Sequence, residues 1–183
     1  MKERLIIISD LWGKEKAEWL TNYTEILKTK FDLNFYDSCE IGNVDKSDYF
    51  QDSLHNQFVN GGIELAVNKL IEQEKNPINI LAFSIGGVIA WNFGLKTDNI
   101  KSLVCISSTR LRKETRRPKG KITLYFGEND EYQPSSEWIE YMKLTFRAVP
   151  NKSHQVYTER KFSQDLSDVI LKTTPQHFKN ASI

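Results

Sequence analysis

One segment, residues 76–95, constrains the fold more than any other part of the chain. Its first part, Ile78–Phe83, is apolar except for Asn79, which is typical of a strand buried on both faces of a sheet. Ser84 follows directly, then Ile85 and two glycines, and then an apolar stretch that predicts a buried helix. The segment therefore predicts a strand, a sharp turn that carries a serine, and a helix.

Small residues flank Ser84 on both sides of this predicted turn. Ala82 lies two residues before it and Gly86 two residues after it. A serine on so sharp a turn has strained dihedral angles, and small flanks keep the strand and the helix from colliding. The spacing matches the nucleophile elbow G-x-S-x-G, with alanine in the first small position. Here the chain resembles the α/β-hydrolase superfamily, and the resemblance implies a serine nucleophile at Ser84.

Two other interpretations of the turn stay open at this point. Ser84 and the glycines can form an ordinary strand-to-helix turn, or Gly86 and Gly87 can belong to a phosphate-binding loop of a doubly wound fold. The sequence contains neither G-x-G-x-x-G nor a Walker-type glycine-lysine-serine run. The other segments of the chain therefore have to distinguish these interpretations.

Predicted strands and helices alternate along the whole chain. The other predicted strands are Leu5–Ser9, Phe31–Tyr36, Ile100–Ile106, Lys121–Phe126 and Leu144–Val149. Helical spacing of apolar residues is found in Lys14–Lys30, Ile63–Ile71, Ser135–Met142 and Lys161–Lys172, whereas 37–57 is a polar connection or a loop with a short helix. No strand pair is joined by a tight hairpin, so right-handed crossovers are expected. We predict an α/β fold: a single three-layer αβα domain over residues 1–174, with a mostly parallel sheet of about six strands and a frayed tail at 175–183.

Composition limits the possible partners and compartments. A chain of 183 residues with a net charge of +1 has no overall attraction to nucleic acid or to an anionic membrane. The N-terminus enters a strand without a signal peptide, and no apolar run approaches a membrane span. Cys39, expected in a loop, and Cys105, expected as a packed thiol, suit a reducing compartment and lack metal-ligand spacing. We therefore expect a cytoplasmic protein without a metal or cofactor.

Two further residues lie where a catalytic site is expected, just after strands. In a parallel sheet, ligands bind outside the carboxyl ends of the strands. Asp130 follows the strand that ends at Phe126, and His154 follows the last strand. The chain order of serine, acid and histidine is the order that the hydrolase superfamily uses. Ser84, Asp130 and His154 are thus the predicted catalytic residues.

The choice of these residue types follows from the chemistry. A serine hydroxyl is a weak nucleophile, so an imidazole must accept its proton, and a carboxylate must orient that imidazole. Glu128 and Glu131 compete with Asp130 for the acid. The segment FGEND resembles the strand-end motif of the superfamily, in which the aspartate is the catalytic acid. A solvated turn aspartate and a surface histidine are the alternatives for Asp130 and His154.

The resemblance also implies an oxyanion hole. One backbone amide is expected from Ile85, directly after the nucleophile. The other is expected from the loop after the first strand, where many relatives carry His-Gly and this chain carries Ser9 and Asp10. We assign it to Leu11, with Trp12 as the alternative. Trp12 is also a candidate for the wall of the substrate pocket, although an aromatic side chain in a loop is equally often plain packing.

A cationic loop follows the strand that ends at Ile106. Residues 107–120 carry six cations against one acid, Glu114; the cations are Arg110, Arg112, Lys113, Arg116, Arg117 and Lys119. Because the loop is short, the site is expected to lack a lid. The loop is expected near Ser84, where it can attract an anionic group of the substrate. The alternative is a solvated charged loop.

Two function classes follow from these observations. The first is a serine hydrolase that cleaves a small carboxylic ester or thioester, with or without an anionic group, through an acyl-enzyme intermediate. The second is a non-catalytic binding or scaffold protein with the hydrolase fold. Ala82 and Asp10 favour the second class, whereas the order of the three predicted catalytic residues favours the first. A flavodoxin-like nucleotide binder ranks third, because no phosphate-loop signature is present.

Overall fold

Six parallel strands form one sheet in the computed structural model, which describes residues 2–173. The strands are β1 (Glu3–Ile8), β2 (Phe31–Tyr36), β3 (Ile78–Phe83), β4 (Ile100–Ile106), β5 (Lys121–Gly127) and β6 (Thr145–Val149). Their order in the sheet is β2-β1-β3-β4-β5-β6, and every neighbouring pair is parallel. The six strands predicted from the sequence are confirmed, and most of their ends agree with the structure to within one residue. The tail proposed for 175–183 lies outside the described residues.

Within residues 2–173, seven α-helices connect and cover these strands. They are α1 (Thr21–Leu27), α2 (Ser38–Ile41), α3 (Gln51–Gln57), α4 (Ile63–Gln73), α5 (Ile85–Thr97), α6 (Ser136–Tyr141) and α7 (Arg160–Thr173). One prediction was wrong in detail: a single helix over Lys14–Lys30 is instead two 3-10 turns, Gly13–Lys16 and Glu18–Leu20, followed by α1. The expectation for Cys39 was also wrong, because this residue lies in α2 and is buried.

The alternation of side chains along the strands divides the core between the two faces of the sheet. In β1, Ile6 and Ile8 face the larger cluster under α4 and α5, while Leu5 and Ile7 face the smaller cluster under α1 and α7. Because both faces of the sheet are buried, β1 and β3 consist largely of continuous apolar residues. The predicted three-layer αβα architecture is confirmed.

The order of the strands places a crevice at one point on the carboxyl edge. The chain leaves β1 toward β2 and returns to place β3 on the other side of β1. Connections therefore diverge between β1 and β3, which is where parallel α/β sheets bind ligands. The loop after β1 and the turn at Ser84 lie at this switch point. Among the described residues, no helix is long and apolar enough to cross a bilayer.

Candidate active site

Ser84 lies on the sharp turn between β3 and α5. Its backbone has φ 47° and ψ −114°, a conformation that residues with a side chain rarely adopt. Its amide donates to the carbonyl of Ile106 at 2.8 Å, so the neighbouring strand β4 holds the turn in place. The side chain is half-buried at the carboxyl edge of the sheet. The turn therefore presents the hydroxyl at the switch point.

The two glycines after Ser84 are required by contacts with neighbouring segments. A Cβ atom on Gly86 would lie 2.4 Å from the carbonyl oxygen of Ser9 and 2.8 Å from that of Ile8. A Cβ atom on Gly87 would lie 1.9 Å from Oγ of Ser108. The first turn of α5 thus packs directly on the ends of β1 and β4. The sequence predicted that Gly86 relieves a collision between strand and helix within the turn, whereas its closest contacts are with the end of β1.

His154 lies beside Ser84, although 70 residues separate the two in the chain. It begins a short 3-10 helix, His154–Thr158, after β6. Its Nε2 atom is 3.3 Å from Oγ of Ser84, and its Nδ1 atom is 2.8 Å from Oδ2 of Asp130. An ionised carboxylate only accepts hydrogen bonds, so Nδ1 carries the proton and Nε2 is free to accept one from the serine. The structure thus places the three predicted residues in one chain of hydrogen bonds.

Asp130 is the only one of the three competing acids that contacts His154. Its side chain is 4% exposed, and Oδ1 accepts the amide of Tyr132 at 3.1 Å. Glu128 is exposed and accepts the amide of Asn151 at 3.0 Å, which fixes the turn before His154. Glu131 is exposed as well. The geometry therefore distinguishes acids that sequence spacing alone left in competition.

The loop after β1, residues 10–13, lies where the second oxyanion amide is expected; we call it the oxyanion loop. The amide of Trp12 donates to Oδ1 of Asp10 at 3.0 Å, so it is already paired. Within residues 2–173 the amide of Leu11 has no hydrogen-bond acceptor. Ile85 opens α5, where a helix lacks acceptors for its first amides. The backbone amides of Leu11 and Ile85, the two predicted donors, are thus left without an acceptor from a helix or a side chain among the described residues.

Trp12 packs against neighbouring side chains at the edge of the site. Its ring contacts Tyr49 edge-on with centroids 5.4 Å apart, and Nζ of Lys16 lies 3.6 Å from the ring centroid. The hydroxyl of Tyr49 also donates to the carbonyl of Trp12. The ring is half-buried between these partners. A role in lining the substrate pocket remains a prediction.

The hydrogen bond between Asp10 and Tyr157 was not predicted from the sequence. Asp10 is 2% exposed, and Tyr157 donates its hydroxyl to Oδ2 of Asp10 at 3.0 Å. Burial raises the pKa of Asp10 from 3.8 to about 6, against the hydrogen bonds from Trp12 and Tyr157. The signal available in the sequence was an acid at a position where the superfamily carries His-Gly. Tyr157 gave no signal, because its partner is 147 residues away.

The cations of residues 107–120 divide between the two edges of the sheet. The 3-10 helix Thr109–Lys113 follows β4 at the carboxyl edge. Burial is the main cause of the lowered pKa of His55, and the nearby charges of Arg110 and Lys113 lower it further. At the other end of the loop, Lys119 pairs with Asp98 at 2.5 Å, just before β5 begins. Only the first part of the loop therefore lies on the side of Ser84, not the whole loop as expected.

A cavity of about 410 Å³ lies beside the 3-10 helix Thr109–Lys113. Val88 and Asn92 line it from α5, and Arg110 and Glu114 line it from the cationic loop. Val88 lies one helical turn after Ser84. Within residues 2–173, neither Arg110 nor Lys113 forms an ion pair. Arg110 and Lys113 thus lie next to the first turns of α5 without an ion-pair partner, and Glu64 and Glu114 line the same cavity as Arg110.

The fold is similar to that of solved α/β hydrolases. A Xanthomonas campestris pv. campestris protein of the alpha/beta hydrolase superfamily superimposes with a TM-score of 0.68 at 15% identity, covering 94% of this chain and 100% of that one. Est1E from Butyrivibrio proteoclasticus, solved with ferulic acid, gives 0.67 at 13% identity over 93% and 89%. A serine hydrolase without a lid from Xanthomonas campestris gives 0.59 at 14% identity over 96% and 86%.

These comparisons define the class of fold. The sequence itself matches no protein-family model and no curated protein. The structural neighbours are α/β hydrolases and esterases, and the single parallel sheet with helices on both faces agrees with theirs. The chain has the α/β-hydrolase fold.

Proposed function

We propose that the protein is a serine hydrolase that cleaves a small carboxylic ester or thioester through an acyl-enzyme intermediate. The observation that carries this proposal is the hydrogen-bond chain from Ser84 through His154 to Asp130. The three residues come from the ends of three strands, and each has the residue type and spacing that acyl transfer requires. The esterases among the structural neighbours support the same reaction class.

The proposed reaction begins with attack of Ser84 on the carbonyl carbon of the substrate. Oγ forms a bond to that carbon while its proton moves to Nε2 of His154, and Asp130 stabilises the imidazolium. The amides of Leu11 and Ile85 donate to the oxyanion of the tetrahedral intermediate. The bond to the leaving oxygen or sulfur then breaks, and the leaving group takes the proton from His154. Water, activated by His154, releases the acid and restores Ser84.

Labelling of Ser84 distinguishes this hydrolase from the non-catalytic alternative. The wild-type protein is expected to react with a fluorophosphonate at Ser84, identified by peptide mass spectrometry, and to hydrolyse p-nitrophenyl esters or acyl thioesters of graded length. Ser84→Ala should lose both activities, whereas Ser136→Ala, which alters an exposed serine on α6, should retain them. A wild-type protein that is folded but neither labelled nor active would leave the binding or scaffold function.

We also propose that the substrate carries an anionic group, which would determine specificity. Arg110 and Lys113 lie on the side of the sheet that carries Ser84, next to a cavity lined by α5, and neither forms an ion pair with another described residue. Such a pair attracts a carboxylate or phosphate. The remaining cations of the loop contribute less, because Arg117 bonds backbone carbonyls and Lys119 pairs with Asp98.

A comparison of two ester substrates tests this specificity. The double variant R110A/K113A is expected to raise KM for a p-nitrophenyl ester with a terminal carboxylate by about three- to tenfold, the range for partly exposed charges. It should leave KM for a neutral ester of equal length unchanged. The variant K119A removes a cation of the same loop at the opposite edge and serves as the matched control. Equal effects of the double variant on both esters would contradict an anionic substrate.

A further inference from the structure

Asp10 is a buried acid whose two carboxylate oxygens are both occupied. Oδ1 accepts the amide of Trp12 at 3.0 Å, and Oδ2 accepts the hydroxyl of Tyr157 at 3.0 Å. A buried carboxylate is stable only when its oxygens are hydrogen-bonded. The first bond closes a tight turn within the oxyanion loop. The second bond connects this loop to the segment that carries His154.

Tyr157 is itself held rigidly in that segment. It lies in the same 3-10 helix as His154, and the two rings meet edge-on with centroids 6.2 Å apart. The hydroxyl of Tyr23 in α1 donates to the carbonyl of Tyr157 at 2.8 Å, and the ring of Tyr157 also packs on Phe83, the residue before Ser84. Tyr157 therefore contacts neighbours of both Ser84 and His154.

The backbone carbonyls of residues 10–12 in the oxyanion loop are also paired. The carbonyl of Asp10 accepts the amide of Gly13 at 3.3 Å, the carbonyl of Leu11 accepts the thiol of Cys39 at 3.2 Å, and the hydroxyl of Tyr49 donates to Trp12. These bonds fix the loop from both ends. Among the described residues, the amide of Leu11 is left without an acceptor while that of Trp12 is bound to Asp10.

We propose that Asp10 is a positioning residue for the oxyanion hole. Together with Tyr157, it fixes the oxyanion loop relative to His154, so that the amide of Leu11, and not that of Trp12, faces the oxyanion. This inference rests on the proposed hydrolase function and adds two residues to the predicted site. Asp10 does not touch the reacting atoms. It acts through the backbone that it holds.

Charged and titratable groups surround Asp10 on several sides. His154 and Tyr157 face it from the 3-10 helix, Asp37 acts on it from the loop after β2, and the Cys39 thiol and Tyr49 hydroxyl lie within its electrostatic reach. Below about pH 6 Asp10 is protonated. A protonated carboxyl offers one strong acceptor and one donor, as an asparagine side chain does. The wild-type loop should therefore resemble that of Asp10→Asn at low pH.

Four variants test the proposal by steady-state kinetics on a p-nitrophenyl ester. Asp10→Ala is expected to lower kcat by about 10- to 100-fold, the effect of a misplaced catalytic group, with KM changed less than about threefold. Asp10→Asn keeps one acceptor oxygen and should recover part of the loss. Tyr157→Phe removes the second anchor but leaves the bond from Trp12, so it should lower kcat less than Asp10→Ala does. The double variant D10A/Y157F should be no worse than Asp10→Ala, because Asp10→Ala already removes the bond from Tyr157.

The pH profile separates positioning from simple packing. The ratio of wild-type kcat to that of Asp10→Asn should be constant above about pH 7 and fall toward one as the pH drops through about 6. A side chain that only fills space would give a ratio that is independent of pH. Glu74→Gln is the matched control, because Glu74 is a buried acid bonded to the hydroxyl of Tyr36 at 2.5 Å and contacts none of the predicted catalytic residues.

The outcomes distinguish this inference from the proposed function. If the wild-type protein is active and the Asp10 variants have the same kcat at every pH, the positioning role is overturned and the hydrolase function stands. A folded wild-type protein that neither hydrolyses esters nor reacts with a fluorophosphonate overturns both. A loss of kcat that Glu74→Gln reproduces would identify a general effect of lost stability and also overturn the positioning role.

Discussion

At the scale of single residues, the site contains groups in states that each cost free energy. Ser84 adopts a left-handed backbone conformation, and Asp10 is a buried acid in a loop next to a histidine. Such residues persist only when their surroundings hold them. Here the hydrogen bond from the amide of Ser84 to the carbonyl of Ile106 and the two donors to Asp10 supply that support.

The first prediction concerns the pH dependence of stability. Because burial raises the pKa of Asp10 from 3.8 to about 6, the folded protein binds more protons at this group than the unfolded chain between these pH values. The stabilisation is therefore present below pH 4 and is lost as the pH rises through about 6. From pH 4 to pH 7 the free energy of unfolding of wild type should fall relative to that of Asp10→Asn by about 2 kcal/mol. Urea denaturation at several pH values measures this difference; parallel curves would contradict it.

The second prediction concerns the contact between α5 and β1. Helix propensity alone predicts that Gly86→Ala stabilises the protein by up to about 1 kcal/mol. The Cβ atom would lie 2.4 Å from the carbonyl oxygen of Ser9, a backbone atom that cannot move aside cheaply. We therefore expect the opposite sign, a loss of about 1–3 kcal/mol in the free energy of unfolding. Chemical denaturation gives the sign directly, and a more stable variant would disprove the close contact.

At the scale of elements, two tryptophans hold the cationic loop against the sheet. Nε1 of Trp138 in α6 donates to the carbonyl of Glu114 at 2.8 Å, and Nε1 of Trp91 in α5 donates to that of Arg116 at 3.0 Å. The two indole rings lie 6.1 Å apart. The short loop therefore crosses from one edge of the sheet to the other as a fixed segment, and this crossing explains why its charges are divided.

The third prediction follows from these anchors. Trp138→Phe keeps an aromatic ring but removes the donor to Glu114, so the segment around Arg116 and Arg117 should open more often. A hydrogen bond contributes about 1 kcal/mol, which corresponds to cleavage by trypsin in this segment about fivefold faster. Limited proteolysis with mass spectrometry measures the rate. Tyr141→Phe, on the exposed side of the same helix, is the control and should cleave at the wild-type rate.

At the scale of the whole molecule, the sheet depends on separate cores on its two faces. The smaller core lies under α1 and α7, and it includes Leu166 and Ile170 from α7 together with Leu5 and Ile7 from β1. Tyr157, on the segment that carries His154, is part of the same core. Packing on this face therefore supports both the fold and the position of His154.

The fourth prediction tests the contribution of this face. Leu166 is 3% exposed, and Leu166→Ala should cost about 2–5 kcal/mol through lost burial and the cavity left behind. For a domain of this size, that corresponds to a fall in Tm on the order of 5–15 °C. Val169→Ala alters a neighbouring residue that is 44% exposed and should leave Tm nearly unchanged. Equal shifts in the two variants, measured by thermal unfolding, would contradict the assignment of the core.

Local patterns in the sequence were enough to predict the strands, the parallel sheet, and a serine, a group of acids and a histidine that each follow a strand. Continuous apolar runs indicate strands buried on both faces, and functional residues follow strand ends. The two short 3-10 turns before α1 were not predicted, because the spacing of apolar residues does not distinguish them from an α-helix. The tertiary structure was needed to show that Asp130 meets His154, that the cations divide between the two edges of the sheet, and that Tyr157 donates to Asp10. Those contacts join residues far apart in the chain, and local sequence carries no information about which distant side chains will meet.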